Sequence, residues 1–134
     1  MILEKLRMHA REKNEFFKSI TRYLPVDFSF CFYTRVWRYD SSPEYSKRFN
    51  VDIFARAESP GEYSIIGEVK NRDHRKFSKE EAVEFERKFA EVKTYEKLDR
   101  VLGFIFSRSG FTRETEDYCR EKGIACSDDE RWLE

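Results

Sequence analysis

Glutamine does not occur in this chain of 134 residues, and asparagine stands only at positions 14, 50 and 71. Charged residues instead make up 39% of the sequence, a bias that matches thermophile usage, where charge networks replace labile amides. No apolar run approaches the roughly 18 residues of a membrane span, and the first residues lack the apolar block and small-residue cleavage site of a signal peptide. A soluble, cytoplasmic protein with no membrane partner is therefore expected. The three cysteines, Cys31, Cys119 and Cys126, form no CxxC pair, so neither a disulfide framework nor a structural zinc site is indicated and buried thiols are expected. The two histidines, His9 and His74, have no Ser or Cys partner at a recognisable spacing, which removes support for a nucleophilic hydrolase triad. With 26 basic and 26 acidic residues the net charge is zero, so any attraction to nucleic acid must be local rather than global.

What is present is the size and apolar content of one compact domain, 1–134, with a single core. Residues 2 to 24 carry Leu3, Leu6, Ala10, Phe17, Ile20 and Leu24 at helical steps, which predicts one amphipathic helix ended by Pro25. Its stripe reads either as a core face or as the seam of a coiled coil or homodimer, with Lys13 interrupting it. Alternation of Val26, Phe28, Phe30, Phe32 and Val36 predicts a long half-buried strand. Tyr39 to Lys47, with Ser41, Ser42 and Pro43, reads as a polar connection, and Phe49 to Ala57 as a second strand. Glu58-Ser-Pro-Gly61 supplies turn chemistry for a hairpin whose return strand is Tyr63 to Lys70.

Ser78 with Glu81 forms a capping box opening a helix with the stripe Ala82, Phe85, Phe89, Val92 and Leu98. Val101 to Phe106 suits a strand buried on both faces. Thr112 and Gly123 mark the start and stop of a last helix, Ile124 to Cys126 a short strand, and Trp132 a cover for the core. A helix between the hairpin and a buried strand implies a crossover, hence a mixed α/β sheet flanked by helices.

In the third strand Glu68 and Lys70 are two residues apart and so share a face. Asn50, Asp52 and Phe54 are expected to share a face of the second strand, and a turn near Pro60 lays Asp52 across from Glu68. Two converging carboxylates are hard oxygen donors suited to Mg²⁺ or Mn²⁺. Ile65, Ile66 and Val69 mark the strand as interior, where charge is costly unless paired or metal-bound. As an isolated pattern, two charged residues in alternation are also what a solvated strand edge presents.

Asn50-Val51-Asp52-Ile53-Phe54 followed by Ile65-Ile66-Gly67-Glu68-Val69-Lys70 resembles the paired motif of the PD-(D/E)xK, or restriction-endonuclease-like, superfamily, and the αβββαβ element order is similar along nearly the whole chain. The resemblance implies a Mg²⁺- or Mn²⁺-dependent nuclease acting on DNA, with Asp52, Glu68 and the backbone carbonyl of Val69 as metal ligands. It further implies that Lys70 positions the attacking water and offsets phosphate charge. The proline many members carry before the aspartate is replaced by Val51. The glutamine motif that some branches place on the next helix has no counterpart beyond Glu91-Val-Lys-Thr-Tyr95. Other branches add a first-helix glutamate, for which Glu12 is the nearest candidate here.

After the ExK strand, Arg72, Arg75, Lys76 and Lys79 stand against Asp73 alone in residues 71–79, a basic patch able to hold a phosphate backbone without reading sequence. Arg35, Arg38, Lys47 and Arg48 would extend it; a solvated charge-rich loop is the alternative. Two further readings stay open: a nuclease fold kept only for binding or assembly, and a Holliday-junction-type resolvase, which needs a symmetric dimer.

Overall fold

The computed structural model describes residues 1–40 and 50–134. Helices α1 (Ile2–Met8) and α2 (Asn14–Ser19) precede the strands β1 (Tyr33–Asp40), β2 (Asn50–Ala57) and β3 (Ser64–Lys70). Helix α3 (Lys79–Tyr95), strand β4 (Val101–Ser107), helix α4 (Arg113–Lys122), strand β5 (Ala125–Ser127) and a 3₁₀ turn (Glu130–Leu133) complete the order. The strands form one sheet in the order β1-β2-β3-β4-β5. β1, β2 and β3 pair antiparallel, whereas β3–β4 and β4–β5 pair parallel. The parallel pairs follow from α3 and α4, since parallel neighbours need a crossover. The mixed sheet flanked by helices is thus the architecture expected from the element pattern.

The sheet is covered on both faces. Leu6, Phe17, Ile53, Ile65, Phe104 and Trp132 form the core beneath α1 and α2, and Val51, Phe54, Ile66, Phe85, Ile105 and Cys119 the core beneath α3 and α4. Because β3 and β4 contribute to both, their apolar residues run almost without alternation. Trp132 does more than cover the core: it is fully buried, its ring 4.5 Å from that of Phe17 and 5.3 Å from that of Phe104. Its indole N–H donates to Thr21 Oγ1 at 3.1 Å. Cys119 and Cys126 are buried free thiols, while Cys31 is half-buried.

Local signals govern the later elements. Ser78 and Glu81 cap the start of α3 reciprocally, and Thr112 accepts the N–H of Thr115 to start α4. Gly123 ends α4 at φ 73°, in the left-handed region that glycine enters without steric cost.

The N-terminal third departs from expectation. The single helix over residues 2 to 24 is broken into α1 and α2 by a turn at 9–13. The Ala10 N–H reaches back to Lys5 O at 2.7 Å, one residue further than a regular helix allows. The Asn14 side chain then engages Ser29 Oγ and the Phe30 N–H, restarting the helix where a tertiary partner dictates. Ile2, Leu6, Ala10, Phe17 and Ile20 are all buried in the chain's own core, so the stripe is the core face, the first of its two expected readings.

The strand expected over Val26 to Val36 begins only at Tyr33. Phe28 and Phe30 are buried as the alternation requires, but Val26 and Phe32 are exposed. A side chain, Asn14, takes the Phe30 N–H at 2.8 Å where a strand would supply a carbonyl. β1 then runs on through Tyr39 and Asp40, because Tyr39 stacks on Phe54 at 5.3 Å instead of joining the polar connection. Ser41, Ser42 and Pro43 of that connection, with Lys47 and Arg48, lie outside the described residues. Among the described residues no helix is long and apolar enough to cross a membrane.

Candidate metal centre

The acid on β2 owes its orientation to a β-bulge. Trp37 faces Phe54 and Tyr39 faces Val51, so two steps along β1 match three along β2 and the extra residue falls at Asp52–Ile53. Bulges re-aim side chains and recur beside functional sites. Val51 and Phe54 consequently pack into the same core while Ile53 enters the other. The expected common face of Asn50, Asp52 and Phe54 is therefore corrected: the bulge breaks the alternation at Asp52.

The β2–β3 ladder runs from Ala55↔Ile65 to Ile53↔Gly67 and ends there. Beyond it the Asp52 carboxylate takes the place of a ladder acceptor, Oδ2 receiving the Val69 N–H at 2.8 Å. In an extended strand a residue's N–H and C=O point to the same side. The Val69 carbonyl, the expected main-chain ligand, is thereby turned toward the edge that Asp52 occupies.

Glu68 is 6% exposed. Burial pushes its carboxyl up to about 7, and the charge and hydrogen bond of Asp52 push the same way, against the opposing pull of Lys88 and, more weakly, Lys70. Lys88 of α3 places Nζ 3.6 Å from Glu68 Oε2 and donates to the Asn50 carbonyl at 3.2 Å. Glu68 and Lys70, on one strand face as their spacing requires, line a cavity of about 260 Å³ with Arg75, Ser78 and Lys88. Asp52 lines a second cavity of about 250 Å³ on the α1 side with Ile2, Arg38, Val69 and Leu133, Arg38 Nη2 standing 3.9 Å from Oδ1. The two carboxylates thus stand at the same strand ends, Asp52 against the residue that follows Glu68, while opening to different sides of the sheet.

The remaining candidates are dispersed. Glu12 lies exposed in the turn between α1 and α2, outside the lining of either cavity. Arg72 is held by both Glu81 oxygens at 2.9 and 3.0 Å, so it braces the capping box, and Arg75 stands 4.0 Å from the same glutamate. Lys79 pairs with Glu114 at 3.6 Å. Lys76 is exposed without an ion-pair partner among the described residues. Arg108 ties Asp73 and Asn71 to the end of β4, and Phe77 bridges to Phe111, so the basic loop is anchored at several points. His74 is exposed.

Lys88 escaped the motif reading, yet the sequence carried a signal for it. It falls three residues after Phe85 and four before Val92, both buried in the stripe of α3, so a lysine there borders the inward face.

Among the described residues no group of three or more His, Cys, Asp or Glu side chains is placed to hold a metal ion; the expected donor set comprises two carboxylates and a main-chain oxygen. No protein-family model matches the chain, and no curated protein or solved structure matches it significantly.

Proposed function

We propose that this chain is a metal-dependent nuclease of restriction-endonuclease-like design, hydrolysing DNA phosphodiester bonds as an endonuclease. The reading rests on the placement of buried Glu68 just past the last β2–β3 pair, with Asp52 bound to the N–H of the next residue, Val69, and Lys70 on the Glu68 face. Two carboxylates held together, one of them out of water, are unfavourable as a pair of anions and call for a cation. Their oxygens, with the Val69 carbonyl turned to the same edge, suit Mg²⁺ or Mn²⁺. Bound there, such an ion would supply Lewis-acid stabilisation of phosphoryl charge and a more acidic water.

The chain's own residues provide the rest. Asp52 fixes the Val69 backbone through the 2.8 Å hydrogen bond, so ligand position and strand geometry are coupled. Lys70 presents an ammonium to the cavity it shares with Glu68, where it pairs with a phosphate oxygen and holds the attacking water. Lys76 and Arg75, exposed on the anchored loop beside this cavity, supply sequence-independent backbone contacts.

Cleavage of plasmid, linear duplex, single-stranded and branched DNA with Mg²⁺ or Mn²⁺ tests the reading in the natural protein, Asp52→Ala and Lys70→Ala. Metal-dependent cleavage lost in both variants is expected. Equal activity in all three proteins, or none in the natural one on any substrate, would overturn it.

A further inference from the structure

The resemblance assigns one lysine to the site, but the fold brings two. Lys88 spans the strands that carry the carboxylates, bonding the carbonyl of Asn50 at the head of β2 and standing 3.6 Å from Glu68 on β3. Only 18% of its side chain is exposed, and a lysine that far from water is rare unless paired. Other acids near it are otherwise engaged: Glu84, one turn earlier on α3, pairs with Arg87 at 2.6 Å, and Glu81 with Arg72 at 2.9 Å. Among the described residues the cation paired with Asp52 is Arg38, which is 61% exposed and 3.9 Å away, so water screens it. Of Lys88, Lys70 and Arg38, the described cations beside the carboxylates, Lys88 is the one within ion-pair distance of the buried Glu68.

We propose that Lys88 is the built-in counter-ion of the site: its ammonium holds Glu68 in place until a divalent ion, arriving between Glu68 and Asp52, displaces it into the cavity shared with Lys70. This rests on the metal-site reading above. An ammonium and a divalent ion compete for one carboxylate oxygen, so Lys88 weakens ion binding relative to the same carboxylates without it. Once displaced, it adds a second positive charge facing a phosphate. In the absence of the ion it prevents the cost of a buried, uncompensated carboxylate.

Mn²⁺ titration, followed by electron paramagnetic resonance and calorimetry, tests the proposal in the natural protein, Lys88→Met and Lys88→Arg. Well above pH 7, where Glu68 is ionised in both proteins, Lys88→Met should bind Mn²⁺ about tenfold more tightly, the order expected when a like charge a few ångströms away is removed under strong screening. Lys88→Arg, which keeps the charge, should stay within about twofold of the natural protein. Where Lys88→Met does not fold, Lys88→Gln replaces it, retaining a donor for the Asn50 carbonyl without the charge. Followed by circular dichroism, the neutral variant should melt at a lower temperature than the natural protein without metal and recover more on saturation with Mn²⁺. Unchanged or weaker Mn²⁺ binding in the neutral variant, with normal binding in the natural protein, overturns the role of Lys88 alone. No Mn²⁺ binding in the natural protein overturns the metal site itself.

Discussion

Asp52 accepts the Val69 N–H at 2.8 Å, just past the last pair of the β2–β3 ladder. One carboxylate thus completes the sheet and, in the proposed function, holds a metal ion. Neutral replacements separate these roles. Asp52→Asn keeps an acceptor and should leave stability within about 0.5 kcal/mol of the natural protein, while Asp52→Ala orphans the Val69 N–H and should cost about 1–2 kcal/mol. Both should lose Mn²⁺ binding. Urea denaturation with Mn²⁺ titration checks this, and natural affinity in Asp52→Asn would remove Asp52 from the ligand set.

The elevated carboxyl of Glu68 should make ion binding at the proposed site depend on pH. Its pKa in the folded chain is about 7 against an ordinary 4.5, so between these values the folded state holds a proton the unfolded state has released. Stability therefore falls as pH rises through that window, by an amount on the order of 3 kcal/mol from this group, and levels off above it. Mn²⁺ affinity moves the other way, rising as Glu68 ionises and flattening above about pH 7. Calorimetric titrations from about pH 5 to pH 8 would show this; an affinity constant across that range would contradict the burial of Glu68.

The parts of the molecule that were legible in the sequence are those whose causes are local. The Ser78–Glu81 box, the Thr112 cap, the Gly123 stop and the Pro-Gly turn each act within a few residues, and the Glu68–Lys70 face follows from strand pitch alone. What escaped depends on partners distant in sequence. The first helix breaks where Asn14 finds Ser29 and Phe30. Residues 26–32 bury Phe28 and Phe30 in alternation before the β1 ladder begins, which periodicity cannot distinguish from a strand. The bulge at Asp52 requires β1 to be in place. Lys88 reaches the site only because α3 crosses over the sheet beside β3 and β2, although its place beside the apolar stripe was visible.

Gly67 sits at the final β2–β3 pair, immediately before Glu68. A Cβ there would stand 2.8 Å from the Phe104 carbonyl and 3.2 Å from Ile53 Cβ, and neither the backbone nor a branched core residue can easily yield. Gly67→Ala should cost about 2 kcal/mol and, by displacing β3, weaken Mn²⁺ binding as well. Denaturation midpoints and Mn²⁺ titration measure the two effects; a variant as stable as the natural protein would show that β3 and β4 can separate without loss.

The basic loop should divide by function. Lys76, exposed and without an ion-pair partner among the described residues, should contribute to DNA affinity, so that Lys76→Ala weakens binding on all sequences and lowers the salt slope by about one. Arg72, clamped to Glu81, should chiefly affect stability when changed to Ala. Fluorescence anisotropy across a salt series distinguishes them, and an unchanged slope in Lys76→Ala would take this lysine out of the interface.

Asp52 and Glu68 line different cavities, yet the proposed function requires them to hold one divalent cation between them. Anomalous diffraction from a crystal grown with Mn²⁺ tests it most directly. A peak is expected within bonding distance of both carboxylates, near the Val69 carbonyl, with the Lys88 ammonium moved away from Glu68. Saturating Mn²⁺ with no peak between Asp52 and Glu68 would contradict it.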